Sequence, residues 1–198
     1  MTTIYLIRHA DPDYNVLDSE IRPLTKKGYT DRKKITSFFV DKEVDVVFSS
    51  HYKRSIDTIH DFAKQYDYEI NIDERFCERI RNTVGYLPDS MFKHLMKKLW
   101  NDFNYKNDNE ESLYDLQKRG IRAINDILRK YKNQKIIIGM HLIIISVIIK
   151  KYNPQYSFDD LWKLKDEMPF IVKLLFNDYN CVSIERYDLF NNCTYKIM

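Results

Sequence analysis

The sequence predicts an α/β fold: a three-layer αβα sandwich around a mostly parallel central sheet, closed by an antiparallel C-terminal hairpin. Three observations carry this. Short runs rich in apolar and β-branched residues, Ile4–Ile7, Val44–Phe48 and Lys135–Gly139, each lead through a polar stretch into residues of helical periodicity. Leu142–Ile149 is apolar almost all round, as a helix buried against a sheet must be. Two further strand-like runs, Phe170–Phe176 and Cys181–Tyr187, flank Asn177-Asp178-Tyr179-Asn180, a hairpin turn by composition. Strand alternating with helix implies parallel pairing through crossover connections.

In chain order, Ile4–Ile7 is the opening strand, and Asp11–Pro23, polar with two prolines, is a loop over its end. Thr25 is a good N-cap for a helix that buries Ile35, Phe38 and Phe39 and runs to about Asp41. Val44–Phe48 is the second strand, and Ile56, Ile59 and Phe62 mark the helix after it. Glu69–Ile72 reads as a short strand before the charged segment Asp73–Arg79, and Thr83–Pro88 breaks the pattern. Met91–Phe103 is an amphipathic helix in a small helical cap insertion at about 86–110. Leu113–Tyr131 is a long helix with Leu116, Ile121, Ile124, Ile127 and Leu128 along one side. Phe158–Lys165 adds a helix before the hairpin. No repeat or linker divides the chain, so residues 1–198 are expected to form one domain.

Composition excludes several classes. At 198 residues, 44% hydrophobic and 31% charged, the chain is globular, and its net charge of +3 is nearly balanced. No nucleic-acid or membrane partner is expected, because neither a clustered basic face nor a spanning segment is visible. Ile136–Ile149 is interrupted by Gly139 and His141. Cys77, Cys181 and Cys193 are an odd count without metal-type spacing. Reduced thiols and the lack of a signal-peptide pattern predict a cytoplasmic protein. Nothing in the sequence sets the oligomeric state.

Candidate chemistry lies just past the strands. Arg8-His9 follows the first, Arg54 the second, and His141 the strand Lys135–Gly139. Residues past successive parallel strands gather at one edge of the sheet, where ligands bind. Two guanidiniums match phosphate oxygens, and two imidazoles add a nucleophile and a donor. Such a cluster suits a phosphoryl dianion and calls for no metal or cofactor.

The motifs resemble those of the histidine phosphatase superfamily, the phosphoglycerate-mutase-like proteins. LIRHADPDYN is similar to the family's opening motif, PLTKKG to its Leu-Thr-x-x-Gly, and SSHYKRSIDT to the segment supplying a second arginine. DERFCER, Glu111-Ser112 and IIIGMHLIIISVII occupy the places of the acid-bearing segment, the Gly-Glu-Ser and the second histidine. The resemblance implies a nucleophilic His9, phosphate contacts from Arg8, Arg54, His141 and the Leu142 backbone, and Glu78 as proton donor. Asn15 is counted among the substrate-binding residues, either behind those that touch the phosphate or at the pocket rim. Ala10 and Leu142 stand where the family has glycine, which puts pocket shape in question.

Glu74 is a rival acid one turn before Glu78, and Arg79 and Arg81 are candidates to read a second anion. His51, His60 and His94 read as surface or helix histidines. The implied activity is metal-independent hydrolysis of a small phosphorylated metabolite through a phosphohistidine. The alternatives are a phosphoglycerate mutase-type phosphotransferase, or a non-catalytic phospho-ligand-binding or interaction module. The short cap favours hydrolysis, since mutases of the family shield their intermediate with longer segments.

Overall fold

The computed structural model describes residues 1–82 and 87–198. Its strands are β1 (Thr2–Arg8), β2 (Val46–Ser49), β3 (Ile70–Ile72), β4 (Lys135–Met140), β5 (Ile171–Asn177), β6 (Asn180–Asp188) and β7 (Cys193–Lys196). The helices are α1 (Lys26–Asp31), α2 (Lys33–Phe39), α3 (Lys53–Gln65), α4 (Asp89–Asn101), α5 (Leu113–Lys130), α6 (Leu142–Tyr152) and α7 (Phe158–Lys163). The strands form one sheet in the order β3-β2-β4-β1-β5-β6-β7. From β3 to β1 every pairing is parallel, and β5, β6 and β7 continue antiparallel.

Period-two alternation along β1 feeds both faces of the sheet. Ile4 and Leu6 join Ile136, Ile138 and Met140 under α5 and α6, whereas Tyr5 and Ile7 join Ile137, Ile35, Phe39, Ile59 and Phe62 under α2 and α3. All seven residues of β1 are buried, as befits a central strand covered on both sides. Each fully buried Ile or Leu there contributes about 1.5–3 kcal/mol. α6 is buried from Leu142 through Ile149 because it lies among β1, α5 and α7.

Thr25 caps α1 as expected, its hydroxyl accepting from Gly28 N–H at 3.0 Å. The expected single helix is divided at Arg32 into α1 and α2. The hairpin turns at Asp178, which adopts φ 51°. β7 was not legible: its four residues are exposed, so no apolar alternation marks them, and only pairing with β6 makes them a strand. Of the expected break at Thr83–Pro88, residues 83–86 lie outside the described residues. So does Tyr86, the first residue of the expected cap. The rest of that insertion contains α4, which packs on α7 through Phe92 and Trp162. Lys165 ties it to Asp89 at 2.5 Å.

Candidate active site

Strand register decides what meets at the sheet edge. β1 and β4 pair with Arg8 opposite Met140, so His9 and His141 follow side by side, their ring centroids 5.2 Å apart. β2 pairs with β4 so that Ser49 faces Gly139, and Ser50 N–H donates to the Gly139 carbonyl at 2.9 Å. A Cβ on Gly139 would stand 2.9 Å from Ser55 Oγ and 3.0 Å from Ser49 Oγ. Glycine therefore lets the start of α3, with Arg54, lie close against β4. Arg8, His9, Arg54, Glu78 and Leu142 all line one cavity of about 730 Å³. His141 is fully buried directly behind it, N-capping α6.

The buried His9 has its Nδ1 2.8 Å from the Ala10 carbonyl. A carbonyl only accepts, so Nδ1 carries the proton and Nε2 carries the lone pair. Burial, then the charges of Arg54 and Arg8, hold the imidazole well below its ordinary pKa. His141 Nε2 shares a 2.8 Å hydrogen bond with Ser50 Oγ, while its Nδ1 is buried with no partner among the described residues. Burial and then Arg54 lower its pKa in the same way.

Arg8 donates through Nη1 to the Leu164 carbonyl at 2.6 Å and the Glu167 carbonyl at 2.8 Å. Arg54 donates to the Ser19 carbonyl at 2.5 Å. Burial pushes both guanidiniums down to about 10, so both remain charged at neutral pH. The Glu78 carboxyl accepts from Ile143 N–H at 3.1 Å, in the first turn of α6, and from Arg79 N–H at 2.9 Å. Its backbone is clamped by Arg119, which donates to the carbonyls of Arg75, Cys77 and Glu78 at 2.6, 3.0 and 3.1 Å. Glu111 grips Arg119 through both carboxylate oxygens, at 2.6 and 2.9 Å. Glu111 thus supports the segment that carries Glu78, and Ser112 caps α5.

Both departures from glycine are accommodated. Ala10 is fully buried, its N–H on Thr58 Oγ1 at 2.9 Å. Leu142 begins α6 in helical conformation, so no left-handed backbone is demanded of it. Asn15 is exposed, its amide donating to Asp13 at 2.8 Å, and it is not on the cavity wall. Its neighbours Tyr14, Asp18 and Ser19 are. His51 and the exposed Glu74 border the cavity, whereas His60 and His94 are exposed on α3 and α4. Arg79 is spent on a buried pair with Glu110 at 2.8 Å, and Arg81 lines the wall. Sequence reasoning missed Arg119 and Arg22. Neither has a local signal, because each is defined by carbonyls it reaches in the folded chain.

The two buried histidines make stability depend on pH. Unfolded, both titrate near 6.5; folded, both stay neutral to lower pH. Above about pH 6.5 stability is on its plateau. As pH falls toward the folded pKa values, the unfolded chain binds the extra protons and stability drops by about 1.4 kcal/mol per pH unit per histidine. Urea unfolding across about pH 7.5 to 5 should show a slope reduced by about that amount in His141→Asn. An unchanged slope would mean that His141 is not held neutral.

Fold and site together define an α/β protein with buried arginines and histidines clustered at one edge of its sheet. The chain belongs to the Histidine phosphatase superfamily (branch 1), whose sequence profile matches residues 4–188. It is a phosphatase, a phosphoric monoester hydrolase. Its sequence is 23% identical over 154 residues to Putative phosphoserine phosphatase 2 of Hydrogenobacter thermophilus, covering 70% of this chain and 73% of that protein. YhfR of Bacillus stearothermophilus superposes with a TM-score of 0.75 at 19% identity, over 91% of this chain and 94% of that one. A phosphoserine phosphatase variant of Entamoeba histolytica in complex with phosphoserine superposes with a TM-score of 0.74 at 20% identity, over 92% and 94% of the two chains.

Proposed function

We propose that the protein hydrolyses a small phosphomonoester by two in-line displacements at phosphorus, through a phosphohistidine on His9 and without a metal. One observation carries this reading: the Nδ1–H of His9 is engaged by the Ala10 carbonyl, which leaves Nε2 as a neutral nucleophile beside two buried guanidiniums. In the first step the Nε2 lone pair attacks phosphorus and the ester P–O bond breaks. Glu78 gives its proton to the departing oxygen. In the second step the Glu78 carboxylate takes a proton from water, whose oxygen attacks phosphorus. The P–N bond breaks and its electron pair returns to Nε2.

Arg8 and Arg54 stabilise charge on the equatorial oxygens throughout. Ser50 supports the same task at one remove. If its hydroxyl donates to His141 Nε2, the unpartnered Nδ1–H of His141 is the donor available to a phosphoryl oxygen. The cavity of about 730 Å³ suits a metabolite, in keeping with relatives named for phosphoserine.

Rapid quench with a ³²P-labelled aryl phosphate tests the mechanism. An acid-labile, base-stable label should appear on the chain within one turnover, and turnover should be unchanged by a chelator. Phosphate release with no trapped label, or release abolished by the chelator, would overturn the respective part of the reading.

A further inference from the structure

Two consecutive glutamates, Glu110 and Glu111, stand just before α5, and each grips an arginine that holds the chain at Glu78. Glu111 holds Arg119, which fixes the backbone up to the Glu78 carbonyl. Glu110 pairs at 2.8 Å with Arg79, the residue after Glu78, and the side chains of Arg79 and Glu110 are only 1% and 5% exposed. Arg79 Nε donates to the Glu111 carbonyl at 2.7 Å, and Asn107 Nδ2 donates to the Glu110 carboxylate at 3.2 Å. Arg79 Nη1 is buried with no partner among the described residues.

A buried ion pair is a poor source of stability. Taking both charges out of water offsets most of their attraction, and an apolar pair of similar volume holds a fold as well or better. The unpartnered Nη1 adds a further cost. What the pair supplies is direction: a guanidinium held at Nε and Nη2 has one orientation, which an apolar side chain in its place lacks. The backbone here has little else to fix it. Of residues 79 to 82 only Arg79 is buried, and Ile80 is 51% exposed. Glu111 adds polar ties, its N–H donating to the Ile80 carbonyl at 3.1 Å and its carboxylate accepting from Ile80 N–H at 3.2 Å.

The consequence falls on the Glu78 carboxyl. Its donors among the described residues are Ile143 N–H at 3.1 Å, fixed by the buried α6, and Arg79 N–H at 2.9 Å. The second donor stands only as firmly as the peptide of residue 79, and the side chain of that same residue is moored to Glu110. We propose that Arg79 and Glu110 are positioning residues for proton transfer at Glu78: the pair fixes the Arg79 peptide, whose N–H aims the carboxyl at the leaving oxygen. The proposal rests on Glu78 being the proton donor.

Two esters separate the proton from the chemistry at phosphorus. The leaving oxygen of glycerol 3-phosphate needs a proton, whereas nitrophenolate departs without one. In the double variant Arg79→Met/Glu110→Leu, kcat/KM for glycerol 3-phosphate should fall about 10- to 100-fold. That for 4-nitrophenyl phosphate should fall no more than about threefold, and the melting temperature should stay within about 5 °C. Glu110→Gln, which keeps the volume and an acceptor oxygen for Arg79, is the second variant if the double variant does not fold. It should show the same split at about three- to tenfold. Glu78→Gln should cost at least about tenfold less glycerol 3-phosphate turnover in the double variant than alone, because both changes strike one proton transfer. Equal losses for the two esters, unchanged turnover of both, or an undiminished cost of Glu78→Gln makes the pair purely structural and overturns the proposal. Glu78→Gln alone is scored separately. If it spares glycerol 3-phosphate, Glu78 is not the proton donor and the proposal falls with that reading; if it shows the split and the pair variants do not, only the positioning role fails.

Discussion

Replacing His9 by alanine is expected to lower kcat/KM for any phosphomonoester by at least about 10,000-fold, because the first bond to phosphorus then has no nucleophile. The loss should be chemical and not structural. The described hydrogen bond of the imidazole goes to the adjacent carbonyl, so no distant element hangs on it. Arg8, Arg54 and His141 keep their own contacts and should still bind phosphate. Inorganic phosphate affinity is therefore expected to fall by no more than about tenfold. Free imidazole added at high concentration should restore part of the turnover, because the void sits where Nε2 stood. If His9→Ala and the unsubstituted protein release phosphate at the same rate, the covalent mechanism is wrong.

The second large effect separates the two roles of Glu78. With an alkyl ester, whose leaving oxygen needs a proton, Glu78→Gln should slow turnover by about 100- to 10,000-fold. With a nitrophenyl ester the leaving group departs without help, so the first step survives. The second step still lacks its base. The expected record is a burst of nitrophenol equal to the enzyme concentration, followed by slow steady turnover. Glutamine retains an oxygen that accepts from Ile143 N–H, so the segment should stay in place. Glu74→Gln, at an exposed residue on the rim, should show neither the leaving-group split nor the burst. The reverse assignment follows if Glu74 behaves as described for Glu78.

Much of this architecture is legible in the chain because it is written in local patterns. The alternation of β1, the all-apolar α6 and the Asn177–Asn180 turn each express a physical requirement of their own segment, and each stands where it was expected. The hairpin fixes its own register, and its turn residue Asp178 takes the left-handed conformation that aspartate tolerates. β7 has no such local requirement and is a strand only because β6 lies beside it.

The site divides along the same line. Sequence by itself determined that Arg8 lies at the end of a strand and that His9, Arg54 and His141 follow strands, that Glu78 lies in a charged segment after the third, and that their types suit phosphoryl chemistry. Tertiary structure decided that β4, almost 130 residues away, lies between β1 and β2. That order sets His141 beside His9 and Arg54 across from both. It also decided which nitrogen of His9 is free, that Asn15 turns to Asp13 away from the cavity, and that Arg119 and Arg22 belong to the site at all. The reason is one of range. Periodicity and turn chemistry act over a few residues, whereas a guanidinium held by carbonyls, or an imidazole oriented by one, is defined by neighbours that only the folded chain brings within about 3 Å.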